Sequence, residues 1–265
     1  MTRDPFICRF SASVLLALVL FATPLGAQST VPPEPDSPQS EPATTPIKEI
    51  DADSFSKPFA RQLLTDQRQI WTGPLRIKLS DAKWLLPLAG LTAVAFKQDN
   101  EISHHFDDKP SLQRNSLRVS NAGPIAMFSA PATFLLLGKF TGDARIADTG
   151  RRTLQAGLYS TLVIQGIKQV TNRKRPYVGG DGGFWNGGNS FPSGHSAEAW
   201  ALAKVVSDEY SDKPLVKVGM YSFATAVSLS RLTAQRHYAS DVLVGSAIGY
   251  FVGKFIMRNH HAEAH

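Results

Sequence analysis

Three groups of residues, standing in order along the second half of the chain, carry types and spacings that can do chemistry. The first is Lys168 followed, after six residues, by Arg175-Pro176. The second is Phe191-Pro192-Ser193-Gly194-His195, and the third is Ser230-Arg231, five residues, His237, three residues, Asp241. The cations Lys168, Arg175 and Arg231, the Ser193 hydroxyl and the Gly194 amide suit a phosphate-like oxyanion, because charged donors make strong hydrogen bonds to such oxygens. Two histidines add a nucleophile and an acid. With the cations neutralising the equatorial oxygens, one imidazole can attack phosphorus while the other protonates the leaving oxygen. This is equipment for phosphoryl transfer without a metal. Singly, each group has a plainer reading: loop charges for Lys168 and Arg175, a capped turn for residues 192–195, an exposed helix pair for His237 and Asp241. Their joint occurrence, in order, favours chemistry.

Local structure must bring these groups together. Ser193 is a favoured helix N-cap type, and Ala197, Glu198, Ala199, Trp200, Ala201, Leu202 and Ala203 favour helix. Ser193, Gly194 and His195 are therefore expected at a helix N-terminus, where unpaired N–H groups attract an anion. Lys168 falls near the end of an apolar run over residues 154–170, and Pro176 restricts Arg175 to extended backbone. The two can converge from a helix end and a loop. His237 and Asp241 are four apart, so on a helix they would share a face, with the carboxylate bonded to one imidazole nitrogen and fixing the tautomer. The glycine-rich stretch 179–188 holds Phe184 and Trp185, and reads equally as a lid over a substrate or as a passive connection. No Lys-Ser/Thr follows its glycines, so it is not a nucleotide-type phosphate loop.

Further apolar runs lie at 84–96, 124–140, 216–229 and 242–257, most of them separated by Gly, Pro, Asn or Asp, and strand-like alternation is scarce. The fold class expected is all-α, a helical bundle. Phe55, Phe59 and Leu63, at steps of four, predict a further helix, packed on the body or lying on a membrane surface, that ends at Trp71-Thr72-Gly73-Pro74. Pro87, Lys139, Gln155, Gln165 and Lys254 interrupt the best candidates for the roughly 20 apolar residues of a membrane span. The runs read as buried helices, with marginal spans as the alternative. Gly245, Gly249 and Gly253 predict a close helix–helix contact inside the bundle or, alternatively, a dimerisation face in a membrane. His104-His105 with Asp107-Asp108 lack a third spaced ligand, so these side chains are expected to be solvated and no metal site is predicted.

The first 27 residues read as a cleaved secretory signal: Arg3 and Arg9, an apolar centre over 10–21, and Leu25-Gly26-Ala27. A retained membrane anchor is the alternative. The single cysteine, Cys8, lies inside this segment, so a mature chain would hold no disulfide. Residues 28–50, with six prolines among Ser, Thr and acidic residues, read as a disordered tether. A helical domain over 51–258 and a polar tail over 259–265, including His260, His261 and His265, complete the division. The formal charge of +6 is dispersed, with nothing resembling a nucleic-acid module. It suits anionic substrates or a membrane surface. The location expected is exported, periplasmic or in the cell envelope.

The three motifs resemble the signature of the type 2 phosphatidic acid phosphatase superfamily, which includes bacterial nonspecific acid phosphatases, lipid phosphate phosphatases and vanadium haloperoxidases. The match is at Lys168, Arg175, Pro176, Pro192, Ser193, Gly194, His195, Ser230, Arg231, His237 and Asp241, and extends over about 150–255. Asp66-Gln67-Arg68-Gln69-Ile70-Trp71 and Trp84-Leu85-Leu86-Pro87 also resemble the upstream region of secreted bacterial members. The resemblance implies a phosphohistidine at His237, oriented by Asp241, with His195 protonating the leaving group and then activating water. Lys168, Arg175, Ser193, the Gly194 amide and Arg231 would hold the phosphoryl oxygens. It implies a helical core, no cofactor, and vanadate as an inhibitor. The substrates implied are phosphomonoesters or diphosphates, with lipid phosphates such as phosphatidate or isoprenyl (di)phosphates preferred to the small soluble phosphoesters of an acid phosphatase. Two alternatives stand beside this reading. A vanadium-dependent haloperoxidase would use the same residues to hold vanadate as a prosthetic group, against which the short chain counts. A binding protein without turnover is the other, against which the presence of both histidines and Asp241 counts.

Overall fold

A computed structural model describes residues 52–179 and 181–259. The expected signal, the tether and the histidines of the tail lie outside the described residues. Those residues form helices α1 (Ala52–Thr72), α2 (Ala82–His104), α3 (Pro110–Thr141), α4 (Ala144–Thr171), α5 (Gly194–Glu209), α6 (Pro214–Thr233) and α7 (Ala239–Asn259). Short 3-10 turns span Gly73–Arg76, Leu79–Asp81 and Pro176–Val178. No strand occurs among the described residues, and the fold is all-α as expected.

The helix ends follow local chemistry. Helix α1 stops at Thr72, immediately before Gly73-Pro74. Helices α3 and α6 open on Pro110 and Pro214, whose missing N–H is no loss in a first turn. Gly142 (φ 68°) and Asn172 (φ 44°) close α3 and α4 in the left-handed conformation that releases a helix. Asp143 caps α4, its carboxylate accepting from the Ile146 N–H at 3.2 Å. The apolar run at 124–140 proves to be only the second half of α3, whose first half is polar and so shows no hydrophobic period. That polar half is used: Ser116 and Ser120 of α3 bond Thr233 and Arg231 of α6.

Helix α5 is the centre of the bundle. Its Ala197, Ala199, Ala201 and Ala203 are fully buried, and side chains this small let α4, α6 and α7 come close. On one side Ala156 and Tyr159 of α4, Ala201 and Val205 of α5, and Val252, Ile256 and Met257 of α7 form a core, with Leu63 and Ile70 of α1 packed on it. On the other, Ala199 and Ala203 meet Ala224 and Val227 of α6. The glycines of α7 face α5: a Cβ on Gly249 would stand 1.8 Å from the Ala197 carbonyl oxygen, and one on Gly245 would stand 2.3 Å from that of Ser193. The glycine face is thus an internal helix–helix contact.

One described helix, α7, is long and apolar enough to cross a membrane by length and composition, with 21 residues and an 18-residue window of mean hydropathy 1.3. Lys254 interrupts this run, so the sequence alone marks no clear span. On the outer surface, Ile125, Phe128 and Phe140 of α3 and Leu154, Leu158 and Leu162 of α4 are exposed.

Candidate active site

The ends of α2, α4 and α6 and the starts of α3, α5 and α7 meet at one end of the bundle, and the three motifs lie there. Lys168, in the last turn of α4, donates from Nζ to the Asn189 carbonyl at 2.6 Å. Arg175 is extended (φ −85°, ψ 153°), as the following proline requires. Ser193 occupies the N-cap position of α5 with no capping bond of its own; its hydroxyl accepts from that of Ser196 at 2.9 Å. Its amide donates to the Asp241 carbonyl at 2.9 Å, joining the second motif to the third. Gly194 and His195 open α5. Arg231, in the last turn of α6, is buried and donates to the Ser120 hydroxyl. The Nε atoms of Arg175 and Arg231 are buried without a hydrogen-bond partner among the described residues. Buried donors are almost always satisfied, so these two mark where an anion's oxygens would be received.

His237 departs from the sequence reading. It lies in the connection between α6 and α7, and only Asp241 is on the helix, in its first turn. The two therefore do not stack along a helix face. His237 Nδ1 is 2.8 Å from the Ser190 carbonyl oxygen and 3.6 Å from Asp241 Oδ2. A carbonyl only accepts, so Nδ1 carries the proton and Nε2 keeps its lone pair. Asp241 acts one step removed: the Ser190 hydroxyl donates to its Oδ2, and the Tyr238 N–H donates to the same oxygen at 3.0 Å. The carboxylate thus holds both the residue that follows the imidazole and the residue whose carbonyl receives its Nδ1 proton.

Behind Asp241 lies a group that the motif spacing did not single out. Arg173, 1% exposed, donates from Nη1 to Asp241 Oδ1 at 2.6 Å and to Ser240 Oγ at 2.7 Å. Its Nη2 donates to Asp99 Oδ2 of α2 at 2.7 Å and its Nε to the Gly182 carbonyl at 2.8 Å. Asp99 in turn accepts from the Ser240 N–H at 2.9 Å. Rings of Phe96, Phe184 and Tyr238 surround the guanidinium at 5.3, 5.1 and 4.2 Å. In sequence Arg173 is one of three adjacent cations with Lys174 and Arg175, and Asp99 is remote, so no spacing rule selects them.

The glycine-rich connection is stitched down on one side. The N–H groups of Trp185, Asn186, Gly188 and Ser190 donate to the carbonyls of Thr171, Asn172, Asn172 and Arg173. Phe184 is packed between Phe96 and Phe191, while Trp185 is exposed. Phe184 therefore belongs to the wall, and only Trp185 is free to meet a ligand.

The charges act on one another. Burial, then Arg231, Lys168 and Arg175, push His195 down to about 3. Burial also lowers His237 to about 3, with Asp241 opposing and Lys168 and Arg231 reinforcing the shift. Lys168 is lowered to about 8 by burial and by Arg175, and Arg231 to about 10 by burial, Arg175 and Arg236. Burial pushes the Asp241 carboxyl up, yet His237, Arg173 and Ser190 together hold it below the usual carboxylate range. Glu198, one turn after His195, is raised by burial while accepting from Thr161 at 2.9 Å. Both imidazoles are thus neutral at neutral pH among closely spaced cations, an arrangement poised to take up an anion and a proton together. No group of three His, Cys, Asp or Glu side chains suited to a metal occurs among the described residues.

A helical bundle whose ends bring these motifs together defines a class: residues 153–264 match the family model of the PAP2 superfamily. Among individual proteins, the chain is 31% identical over 173 residues to a lipid A 1-phosphatase of Porphyromonas gingivalis, covering 64% of this chain and 36% of the relative. It thus spans about a third of that curated relative's length. The fold matches the crystal structure of Aquifex aeolicus LpxE with a TM-score of 0.50 at 21% identity, over 60% of this chain and 94% of the other. It also matches the transmembrane PAP2-type phosphatidylglycerolphosphate phosphatase of Bacillus subtilis, with a TM-score of 0.50 at 18% identity, over 68% and 96%.

Proposed function

We propose that this protein is a metal-independent phosphatase acting on lipid phosphates through a phosphohistidine. The observation that carries this reading is the pair of buried, unpartnered Nε donors on Arg175 and Arg231 beside a histidine whose Nδ1 is occupied. His237 Nε2 attacks phosphorus, and the bond to the leaving oxygen breaks as that oxygen takes a proton from His195. His195 is neutral in the free site. It gains its proton as the dianionic substrate offsets the charges of Lys168, Arg175 and Arg231 that had repelled it. In the second step His195 takes a proton from water, the oxygen attacks phosphorus, and the P–N bond breaks to release phosphate. Lys168, Arg175, Ser193, the Gly194 amide and Arg231 hold the phosphoryl oxygens, worth most at the transition state in so dry a site. The lipid class is supported by the exposed apolar side chains of α3 and α4, which suit contact with a membrane surface, and by the lipid A 1-phosphatase relative.

The test is a hydrolysis panel with EDTA present, comparing phosphatidate and an isoprenyl phosphate in micelles with p-nitrophenyl phosphate and a sugar phosphate in buffer. Preference for the lipids and loss of turnover in His237→Ala are expected. A strict requirement for added divalent metal, or full activity in His237→Ala, refutes the mechanism. Preference for the soluble esters refutes the substrate class.

A further inference from the structure

The site holds one more cation than phosphoryl binding uses. Arg236 immediately precedes His237, and its guanidinium carbon lies 4.5 Å from the centre of the Tyr177 ring. Tyr177 follows Arg175 by two residues, and its N–H donates to the Gln235 carbonyl at 3.3 Å, so the first and third motifs are joined at this point. Arg236 is half-buried, and Tyr177 is 52% exposed, which puts the pair between the buried phosphoryl pocket and solvent. Arg173, Arg145, Arg151 and Arg152 each pair with a carboxylate, whereas no carboxylate among the described residues lies within ion-pair distance of Arg236. Of the carboxylates at this end of the bundle, Asp241 and Asp99 pair with Arg173, and Glu198 acts on Lys168 and Arg231. Arg236 is also close enough to Arg175 and Arg231 for its charge to disfavour theirs. Even with Glu198 counted against Lys168, Arg175, Arg231 and Arg236, a single phosphoryl dianion leaves positive charge unbalanced. A guanidinium set over an aromatic ring, without a carboxylate partner among the described residues and close to Arg175 and Arg231, is arranged to receive a second anion.

We infer that Arg236, braced on Tyr177, binds a second phosphate directly attached to the scissile one, so that the preferred substrates are diphosphates. This deepens the phosphatase reading and rests on it. The terminal phosphoryl group lies among Lys168, Arg175 and Arg231, and the inner phosphate lies against Arg236. When the terminal phosphorus transfers to His237 Nε2, the bond to the bridging oxygen breaks and its electrons stay on the inner phosphate. Arg236 neutralises that charge, water completes the hydrolysis, and the products are a phosphomonoester and inorganic phosphate.

The experiment compares farnesyl diphosphate with farnesyl monophosphate in micelles, for the full chain and for Arg236→Gln and Tyr177→Leu. In parallel, titration calorimetry compares inorganic pyrophosphate with inorganic phosphate. The natural protein should favour the diphosphate. The ratio of the two kcat/KM values should fall at least about tenfold in Arg236→Gln, the size of one charge-assisted contact, and fall less in Tyr177→Leu. A misfolded fraction cancels from this ratio. An unchanged ratio in Arg236→Gln, or no preference in the natural protein, overturns the inference. If neither lipid is hydrolysed, the phosphatase reading fails by itself, and the binding arm still decides. Pyrophosphate binding that is tighter than phosphate binding, with the gap closing in Arg236→Gln, upholds the second anion site, and equal binding refutes it.

Discussion

Anion binding to this site should take up a proton, and the size of the effect follows from His195. In the free protein its pKa is about 3, against an ordinary 6.5, because of burial and the surrounding cations Arg231, Lys168 and Arg175. A bound dianion cancels much of that repulsion and accepts a hydrogen bond from the imidazolium, so the bound value returns to roughly 6.5. Between the two values the complex holds one proton more than the free protein, and affinity falls about tenfold for each unit of rising pH. Sulfate is the best probe, since it is a tetrahedral dianion throughout this range and adds no titration of its own. Its inhibition constant against a soluble phosphoester should rise about 30-fold from pH 4.5 to 6 and then level off. A second fall in affinity should begin above about 8, where the free Lys168 loses its proton. His195→Asn should flatten the acid limb, and Lys168→Arg should remove the alkaline one. A constant that does not change between pH 4.5 and 6, or an acid limb that survives in His195→Asn, refutes this account of how the acid is charged.

Two further expectations concern the scaffold. Gly249→Ala would normally stabilise an exposed helix by up to about 1 kcal/mol. Here the new methyl meets the Ala197 carbonyl oxygen, so a loss of about 1–3 kcal/mol is expected in chemical unfolding, and a gain would show that α5 and α7 do not touch there. Arg173→Met leaves Asp99 and Asp241 buried without their shared cation, which should cost about 3–5 kcal/mol. Asp99→Asn should cost less, because Arg173 still holds Asp241. Equal unfolding midpoints for Arg173→Met and the natural protein refute that role.

Much of this was legible in the sequence because it is local. Helix type, the stop at Gly73-Pro74, the extended Arg175 and the small-residue contact of α7 all follow from a few neighbouring residues. The failures are non-local. Four-residue spacing suggested that His237 and Asp241 stack on one helix, but a turn intervenes and the Ser190 carbonyl, from another segment, takes the Nδ1 proton. Likewise Arg173 gains its role from Asp99, which the fold brings from α2. The polar first half of α3 was missed because its partners are hydroxyls on α6, which leave no mark on hydrophobic periodicity.

The contact of α7 with α5 has a consequence for how such a site can change. Gly245 and Gly249 rest against the main-chain oxygens of Ser193 and Ala197, so the separation between the helix that carries His195 and the one that follows His237 is a gauge machined in backbone. Side-chain replacement cannot retune that gauge finely: it is kept or it is broken. The exposed surface beside the site, by contrast, is made of side chains such as Tyr177 and Arg236. Divergence in what is hydrolysed should therefore collect among such side chains, while the distance over which the two imidazoles work stays constant.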